Sequence, residues 1–225
     1  MKTCGIIGGM SWESTLTYYK IINEEINKKL GSLHSAKIIL YSVDFEEIAA
    51  QQREGNWQGS AEILSTAAKS LEKAGADFAL IATNTMHKVA DEVKKAVNIP
   101  LLDIRNAVIE KIKKDNIKKV LLLGTKFTME DDFYKNYLQK SGIEVEVPNE
   151  KDRDLIHKVI FNELCLGITK NSSKENFLNI IEKSSADGVI LGCTEIGLLI
   201  KKEDTDKKIY DTTEIHAKKA VQLML

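Results

Sequence analysis

The sequence has few of the features that mark disordered or membrane-spanning chains. It contains only 2 prolines and 13 glycines among 225 residues, so long disordered or low-complexity linkers are not expected. No apolar run reaches the roughly 20 residues that a membrane-spanning helix needs. Residues 1–9 read as a short strand and turn, without the apolar segment of about 7–15 residues typical of a signal peptide. We therefore expect a folded protein with no membrane partner.

An excess of positive charge is also missing. Lys and Arg total 32 against 33 Asp and Glu, giving a formal net charge of −1. A protein that binds nucleic acid normally carries a basic excess, so that partner is not expected. There is no CxxC or HExxH motif, no GxGxxG fingerprint and no P-loop, which argues against a metal or nucleotide site. The histidines, which show no ligand spacing, are His34, His87, His157 and His216.

Cysteine is scarce and odd in number. The three cysteines, Cys4, Cys165 and Cys193, cannot all pair within one chain, which predicts free thiols in a reducing compartment such as the cytoplasm. Cys4 opens a predicted strand and Cys165 lies in a helical apolar pattern, so both are interpreted as packing residues. One of the three thiols is therefore a candidate for a reactive group.

Short apolar runs alternate with longer segments of helical period, which predicts an α/β fold with parallel sheets. The run ValLeuLeuLeu at 120–123 lacks alternation, as expected when helices cover both faces of a sheet. The predicted strands are 5–8, 36–43, 78–83, 100–103, 119–124, 144–147, 188–192 and 208–211. The predicted helices lie near 13–31, 59–74, 85–96, 104–115, 128–141, 152–166, 174–184 and 213–225.

The sequence contains an internal repeat. Residues 73–85 (KAGADFALIATNT) resemble residues 183–195 (KSSADGVILGCTE), and this alignment places Thr83 opposite Cys193. Residues 5–15 likewise resemble residues 120–130, with an apolar strand, a glycine and a hydroxyl-rich helix start. The alternative is that any two parallel strands followed by helices look alike. We predict two pseudo-symmetric α/β domains, formed by residues 1–103 plus 208–225 and by residues 104–207.

Ligands in parallel α/β sheets bind beyond the carboxyl ends of the strands. Two similar halves that face each other would bring Thr83 and Cys193 to opposite walls of one cleft. A small substrate held there would meet a different group on each face. We therefore expect the active site in a cleft between the domains, and chemistry in which a proton leaves one face of a carbon and returns to the other.

Several strings along nearly the whole chain resemble the aspartate/glutamate racemases, which are amino acid racemases independent of PLP. They are GGMSWEST (8–15), VDFEEI (43–48), TNTMHKVAD (83–91), LLGTKFTMEDDFY (122–134), ELCLG (163–167) and GCTEIGLL (192–199). The resemblance implies two pseudo-symmetric domains, no cofactor, an acidic amino acid as substrate and a homodimer. It also implies two cysteines acting as acid and base on opposite faces of Cα.

The sequence departs from this family at the first of the two cysteines. Thr83 occupies that position, while the second cysteine is present as Cys193. A hydroxyl is far less acidic than a thiol, whose reference pKa is about 8.5, so it is no resting base. We predict Cys193 as a thiolate base and Thr83 as a weaker partner, acting directly or through water, as in a Thr/Cys subgroup of the family. Two alternatives stay open: a single-cysteine isomerase or decarboxylase of a small dicarboxylic acid, and a catalytically silent amino-acid-binding protein.

Other polar or turn residues at strand ends are predicted to contact the substrate. Met10 would contribute through the backbone N–H groups of its turn, and Gln52 follows the second strand where the family has a substrate contact. The short polar side chains of Asn84, Thr85 and Thr194 suit an α-carboxylate or amino group, although the alternative for these three is helix capping. The predicted set is Met10, Gln52, Asn84, Thr85, Thr125 and Thr194.

Three further residues have open interpretations. Glu195 directly follows Thr194 and would act in acid–base chemistry, hold the substrate ammonium or cap a helix. His87 would orient a catalytic group or pack in a helix. Arg53 would pair with a substrate carboxylate or, as we favour, remain a solvated charge.

Overall fold

The structure, a computed structural model, describes residues 1–225 and divides into two compact units. Unit 1 comprises Met1–Ile104 and His216–Leu225, and unit 2 comprises Arg105–Ile215. The first boundary falls within one residue of the predicted one. The predicted return to unit 1 at residue 208 is too early, because the strand at 208–211 is hydrogen-bonded into the sheet of unit 2.

Unit 1 is built on a four-stranded, fully parallel sheet in the order β2–β1–β3–β4. Its strands are β1 (Cys4–Gly8), β2 (Ile38–Ser42), β3 (Phe78–Ile81) and β4 (Leu101–Leu102). Its helices are α1 (Trp12–Leu30), α2 (Phe45–Glu54), α3 (Trp57–Lys73) and α4 (Ala90–Lys95), with a 3₁₀ turn at Thr85–Val89.

Unit 2 repeats this arrangement with the order β6–β5–β7–β8, again fully parallel. The strands are β5 (Lys119–Gly124), β6 (Glu144–Glu146), β7 (Gly188–Gly192) and β8 (Lys208–Asp211). The helices that follow β4 in the chain are α5 (Ile104–Lys114), α6 (Lys126–Glu130), α7 (Asp132–Gln139), α8 (Glu150–Asn162), α9 (Asn171–Lys183), α10 (Ile196–Leu199) and α11 (Thr212–Met224). Two 3₁₀ turns lie at Leu164–Leu166 and Lys202–Asp204.

Helices cover both faces of each sheet, which explains the apolar runs without alternation. In unit 1, Ile6 packs with Tyr18 of α1 in one core cluster, whereas Ile7 packs with Leu64 of α3 in another. In unit 2, Leu122 and Leu123 belong to different clusters in the same way. The predicted fold class, two α/β units each with a parallel sheet flanked by helices, is confirmed. None of the helices has the length and hydropathy needed to cross a membrane.

The sequence interpretation missed one helix that carries a predicted site residue. Helix α2 begins after Asp44, whose carboxylate accepts a hydrogen bond from the Glu46 N–H at 3.0 Å. It ends at Gly55 in the left-handed conformation. Both are ordinary helix end signals, so the sequence did contain the information that Gln52 lies on a helix.

The strand registers refine the repeat. Paired residues on β1 and β3 are 74 residues apart (81 minus 7), and those on β5 and β7 are 68 apart (191 minus 123). The offset between β1 and β5 is therefore 6 residues larger than the offset between β3 and β7. When β3 and β7 are aligned at the offset of 110 that places Thr83 opposite Cys193, β1 and β5 align at 116 (110 plus 6), and Thr125 is the counterpart of Gly9.

Candidate active site

Cys193 follows directly after the carboxyl end of β7. The adjacent strand β5 ends in register with it, because Gly124 pairs with Gly192. Both glycines are needed for this approach: a Cβ added to Gly124 would lie 2.9 Å from the Gly192 carbonyl oxygen. The close strand ends place Thr125 and Cys193 at the same edge of the unit 2 sheet, as the sequence predicted.

Two side chains converge on one carboxylate oxygen at this edge. The Cys193 Sγ donates a hydrogen bond to Glu195 Oε2 at 2.9 Å, and the Thr194 Oγ1 donates to the same oxygen at 2.8 Å. All three residues are buried, with 8 % of Cys193, 5 % of Thr194 and 2 % of Glu195 exposed. These two hydrogen bonds hold the buried carboxylate in place and replace part of the hydrogen bonding to water that it loses on burial.

The surroundings of Cys193 favour the thiol over the thiolate. Burial raises the pKa of Cys193 well above its ordinary value, and the negative charge of Glu195 raises it further. The sequence analysis predicted Cys193 as a thiolate base. In the structure its thiol donates a hydrogen bond to a carboxylate, so Cys193 rests as a thiol and its proton must be removed before it can act as a base.

The segment after Cys193 is fixed to α11. The Thr213 hydroxyl donates to the Thr194 carbonyl at 3.4 Å. Asp211 accepts hydrogen bonds from the N–H groups of Thr213 and Glu214 at 2.9 and 3.1 Å, which caps the first turn of α11. Gly197 in α10 lies against the Asp211 carboxylate so closely that a Cβ there would overlap Oδ2.

Thr125 has a structural partner at this edge. Its Oγ1 accepts a hydrogen bond from the Thr128 N–H at 3.3 Å and lies 3.2 Å from the Thr128 hydroxyl. It is therefore the N-cap of α6. A capped helix start also presents N–H groups at the strand edge.

In unit 1, Thr83 lies two residues beyond the end of β3 and is partly exposed. Its backbone carbonyl accepts a hydrogen bond from His87 Nδ1 at 2.8 Å. Asn84 and Thr85 follow, both buried, and Thr85 begins a 3₁₀ turn. The predicted cluster of short polar residues at this strand end is thus present, with Thr83 as its accessible member.

His87 holds the polypeptide on both sides of its ring. The Ile104 N–H donates to Nε2 at 3.1 Å, so Nε2 carries no proton and Nδ1 must be the nitrogen that donates to Thr83. The side chain of Asp103 lies 3.9 Å from Nε2 and is hydrogen-bonded to Lys94 at 3.1 Å. Of the two interpretations of His87, the orienting one describes this geometry, because the imidazole fixes the backbone of Thr83.

A second buried histidine stands next to His87, with 6.0 Å between the ring centroids. His216 Nε2 donates to the Leu102 carbonyl at 3.0 Å, which leaves Nδ1 to accept from the Tyr18 hydroxyl at 2.8 Å. Burial, together with the neighbouring His87, lowers the pKa of His216 to about 3. The sequence gave no signal for this pair, since its members are far apart in the chain.

Met10 and Gln52, which were predicted to contact the substrate, have side chains that are buried within unit 1. The Met10 side chain lies in the core cluster of Ile7 and Ile48, leaving only its backbone for a ligand. The Gln52 amide donates to Met86 Sδ at 3.1 Å. In the same turn as Met10, the Gly9 N–H donates to Thr15 Oγ1 at 2.8 Å, so that donor is already used by the fold.

The remaining assignments agree with the structural interpretations. Arg53 forms a surface ion pair with Glu46 and has 61 % of its side chain exposed. Cys4 is completely buried in the core, and burial raises its pKa to about 12. Cys165 is partly buried and packs against the cluster that contains Cys193.

The fold and the two strand-end clusters agree with a family match over nearly the whole chain. The family model of the Asp/Glu/Hydantoin racemases matches residues 7–220. The chain belongs to this family, which makes it a racemase by class. The family predicted from the sequence motifs is confirmed, whereas its Thr/Cys subgroup stays a prediction.

Individual relatives match along their full length. The chain is 26 % identical to the broad specificity amino-acid racemase RacX of Bacillus subtilis, covering 98 % of this chain and 97 % of that protein. An Asp/Glu racemase candidate from Yersinia pestis superposes with a TM-score of 0.92 at 49 % identity, over 100 % and 99 % of the two chains. An aspartate racemase homologue from Pyrococcus horikoshii does so with a TM-score of 0.86 at 43 % identity, over the same shares.

Proposed function

We propose that the protein racemises an acidic amino acid, aspartate or glutamate, at Cα without PLP, using Cys193 and Thr83 as its two proton-transferring groups. The observation that carries this proposal is the equivalence of the two residues. Each lies just beyond the carboxyl end of the third strand of its sheet, Thr83 two residues after β3 and Cys193 one residue after β7, at the edge where α/β sheets bind ligands. Family membership supplies the reaction type.

The proposed reaction breaks the Cα–H bond of the substrate. Cys193 takes the proton, and the electron pair remains on Cα, delocalised into the α-carboxylate. Thr83, directly or through a water molecule, returns a proton to the other face. Since a hydroxyl is a poor base, the reaction should start more readily from the enantiomer whose Cα–H points at Cys193, which the family resemblance indicates is L.

The substrate contacts belong to the same proposal. Thr125 and Thr194 lie near Cys193, and Asn84 and Thr85 follow Thr83, where each presents short polar groups. Gln52 and the backbone of Met10 complete the proposed set from the resemblance. The sequence also predicts three properties that belong to this proposal: a homodimer, a cytoplasmic location and the absence of a cofactor.

Neither alternative from the sequence is favoured by an observation on the molecule. Both a single-cysteine isomerase or decarboxylase and a silent binding protein would be compatible with one thiol and one hydroxyl. The family is named for racemases, and one relative is named for broad specificity. A substrate panel should therefore contain neutral and basic amino acids beside aspartate and glutamate.

The test is incubation of each L- and D-amino acid in deuterated buffer. Proton NMR follows loss of the Cα–H signal, and chiral chromatography follows inversion. We expect exchange and inversion with aspartate or glutamate, faster from the L-enantiomer. Cys193→Ala should abolish both, whereas Cys165→Ala, the matched control, should retain them. Absence of exchange in the whole panel, or loss of carbon dioxide instead of inversion, would contradict the proposal.

A further inference from the structure

The buried thiol of Cys193 has an immediate proton acceptor. Its Sγ lies 2.9 Å from Glu195 Oε2, within hydrogen-bond distance of a carboxylate that the same strand end supplies two residues later. Resting on the proposed function, we infer that Glu195 accepts the thiol proton of Cys193 and so generates the thiolate that attacks the substrate Cα–H.

Proton loss to solvent is the less favourable route for this thiol. A thiolate formed that way would stand beside an ionised Glu195, with two negative charges in contact in a buried site. Transfer within the pair avoids this, because one proton and one negative charge are shared by the two groups before and after the step. The Cys165 thiol, the other titratable neighbour that acts on Cys193, does not change this balance while it is neutral.

The step balances within the site. The Cys193 S–H bond breaks and a Glu195 Oε2–H bond forms, leaving a thiolate and a neutral carboxylic acid. The thiolate then takes the Cα proton, so that the S–H bond is restored and the electron pair stays on the substrate. After Thr83, directly or through water, has protonated the opposite face of Cα, Glu195 releases its proton to solvent and Thr83 takes one from solvent, so that the resting state returns with no net gain or loss of protons.

Thr194 fixes the geometry of this transfer. Its hydroxyl donates to the same Oε2 at 2.8 Å, so the carboxylate oxygen is held where the thiol proton points. This oxygen is thus selected as the acceptor by two contacts from adjacent residues. Glu195 acts through Cys193 and is a positioning and proton-accepting residue, not a group that touches the substrate.

The decisive variant is Glu195→Gln, because a purely electrostatic role and a proton-accepting role predict opposite results. Loss of the charge must lower the pKa of the Cys193 thiol. If Glu195 only suppressed the thiolate, activity at pH 7 would rise. If it accepts the proton, exchange of Cα–H from the preferred L-amino acid should fall by about 100-fold or more at pH 7, within the range of general base catalysis.

The pH profile gives a second, independent measurement. Wild-type exchange should be nearly flat between pH 6.5 and 8.5, since the proton stays within the pair. Exchange by Glu195→Gln should rise about tenfold per pH unit as hydroxide replaces the missing acceptor. Glu195→Asp keeps a carboxylate and should keep the flat profile at reduced rate. Glu182→Gln, a charge-matched change on an exposed residue of α9, is the control and should behave as wild type.

Alkylation of Cys193 by iodoacetamide, mapped by mass spectrometry, separates this inference from the proposed function. Iodoacetamide also reacts with the thiolate, so Cys193 should be alkylated more slowly at pH 7 in Glu195→Gln than in wild type, whether or not any amino acid is racemised. Equal or higher exchange in Glu195→Gln at pH 7, a profile parallel to wild type, or unchanged or faster alkylation would overturn the inference. A wild-type protein that exchanges no amino acid would instead overturn the proposed function.

Discussion

The Thr83 carbonyl and the His87 imidazole form a single hydrogen bond of 2.8 Å that spans one turn after β3. Because His87 also accepts from the Ile104 N–H, its ring is fixed at both nitrogens and holds Thr83 in a defined position. The hydroxyl of Thr83 is free of this bond, so the imidazole sets the backbone without consuming the group that is proposed to return the proton.

Replacing His87 should separate exchange from inversion. In His87→Ala, Thr83 loses its backbone anchor, whereas Cys193 and Glu195 are untouched. Exchange of Cα–H from the L-enantiomer should persist, while inversion falls, because the substrate carbanion then recaptures a proton from the Cys193 face. The measurement is the ratio of deuterium incorporation to inversion. Loss of both in equal proportion would show that His87 serves only folding. The two orphaned backbone groups should cost about 1–3 kcal/mol each.

Restoring a thiol at position 83 should change the direction of catalysis. Thr83→Cys supplies a group whose reference pKa is about 8.5, which can act as a base toward the enantiomer that wild type uses poorly. We expect the initial rate of exchange from D-aspartate or D-glutamate to rise toward that of the L-form. Thr83→Ser, which keeps a hydroxyl, is the control and should show no such gain. An unchanged D-rate in Thr83→Cys would argue against contact of residue 83 with the substrate.

The stability of unit 1 should depend on pH through His216. Its pKa is about 3 in the folded chain and about 6.5 when unfolded. The unfolded chain therefore binds one more proton between these values. Stability is complete above pH 6.5 and falls as the pH is lowered, by about 1.4 kcal/mol per pH unit for one proton. Asp103 and His87 also face the His216 ring. Both residues are present in wild type and in the His216 variant described next, so their titration does not distinguish the two proteins.

Urea unfolding followed by tryptophan fluorescence measures this slope. Both tryptophans, Trp12 and Trp57, lie in unit 1, so the signal reports the unit that contains His216. Burial also lowers the pKa of His157, but that residue is in unit 2. The variant His216→Gln should be less stable at pH 7 and show a shallower slope between pH 7 and 5. The same slope in the variant would refute the assignment.

Two glycines with nearly the same positive φ should respond differently to substitution by alanine. Gly9 has φ +93° and Gly75 has φ +94°. A Cβ at Gly9 would overlap the Val43 carbonyl oxygen, whereas nothing lies within 4 Å of a Cβ at Gly75. Gly75→Ala should therefore cost only the strain of the left-handed region, about 1–2 kcal/mol. Gly9→Ala should cost several times more or prevent folding, measured by the same fluorescence assay. Equal losses would contradict the close packing at Gly9.

The strands were predictable because the central ones, such as β1, β3 and β7, are short apolar runs buried along their whole length. All eight predicted strands are present. The long helices were predictable from their periodicity, but α2 was missed although Asp44 and Gly55 mark its ends. The error at residue 208 arose because pairing of β8 with β7 is a long-range contact that local patterns do not encode.

The positions of the candidate site residues at strand ends were predictable from the sequence, whereas their electrostatics were not. The repeat named Thr83 and Cys193, and neighbouring polar residues followed from their place at strand ends. Cys193 rests as a thiol because it is deeply buried and because the Glu195 side chain lies against it. The spacing of residues in the sequence predicts neither the burial nor the side-chain conformation of Glu195. The contact between His87 and His216 forms only when the two separate chain segments of unit 1 fold together, so local sequence patterns do not predict it.

The contact between Gly197 and the Asp211 carboxylate also constrains how this protein can evolve. A side chain at position 197 would collide with the group that caps α11, and a residue without a carboxylate at 211 would release both that cap and the space beside it. The two positions should therefore change together among homologous sequences, with larger residues at 197 found where 211 is shorter. The contact between Gly197 and Asp211 would then limit which substitutions are tolerated near Cys193, although neither residue takes part in the chemistry.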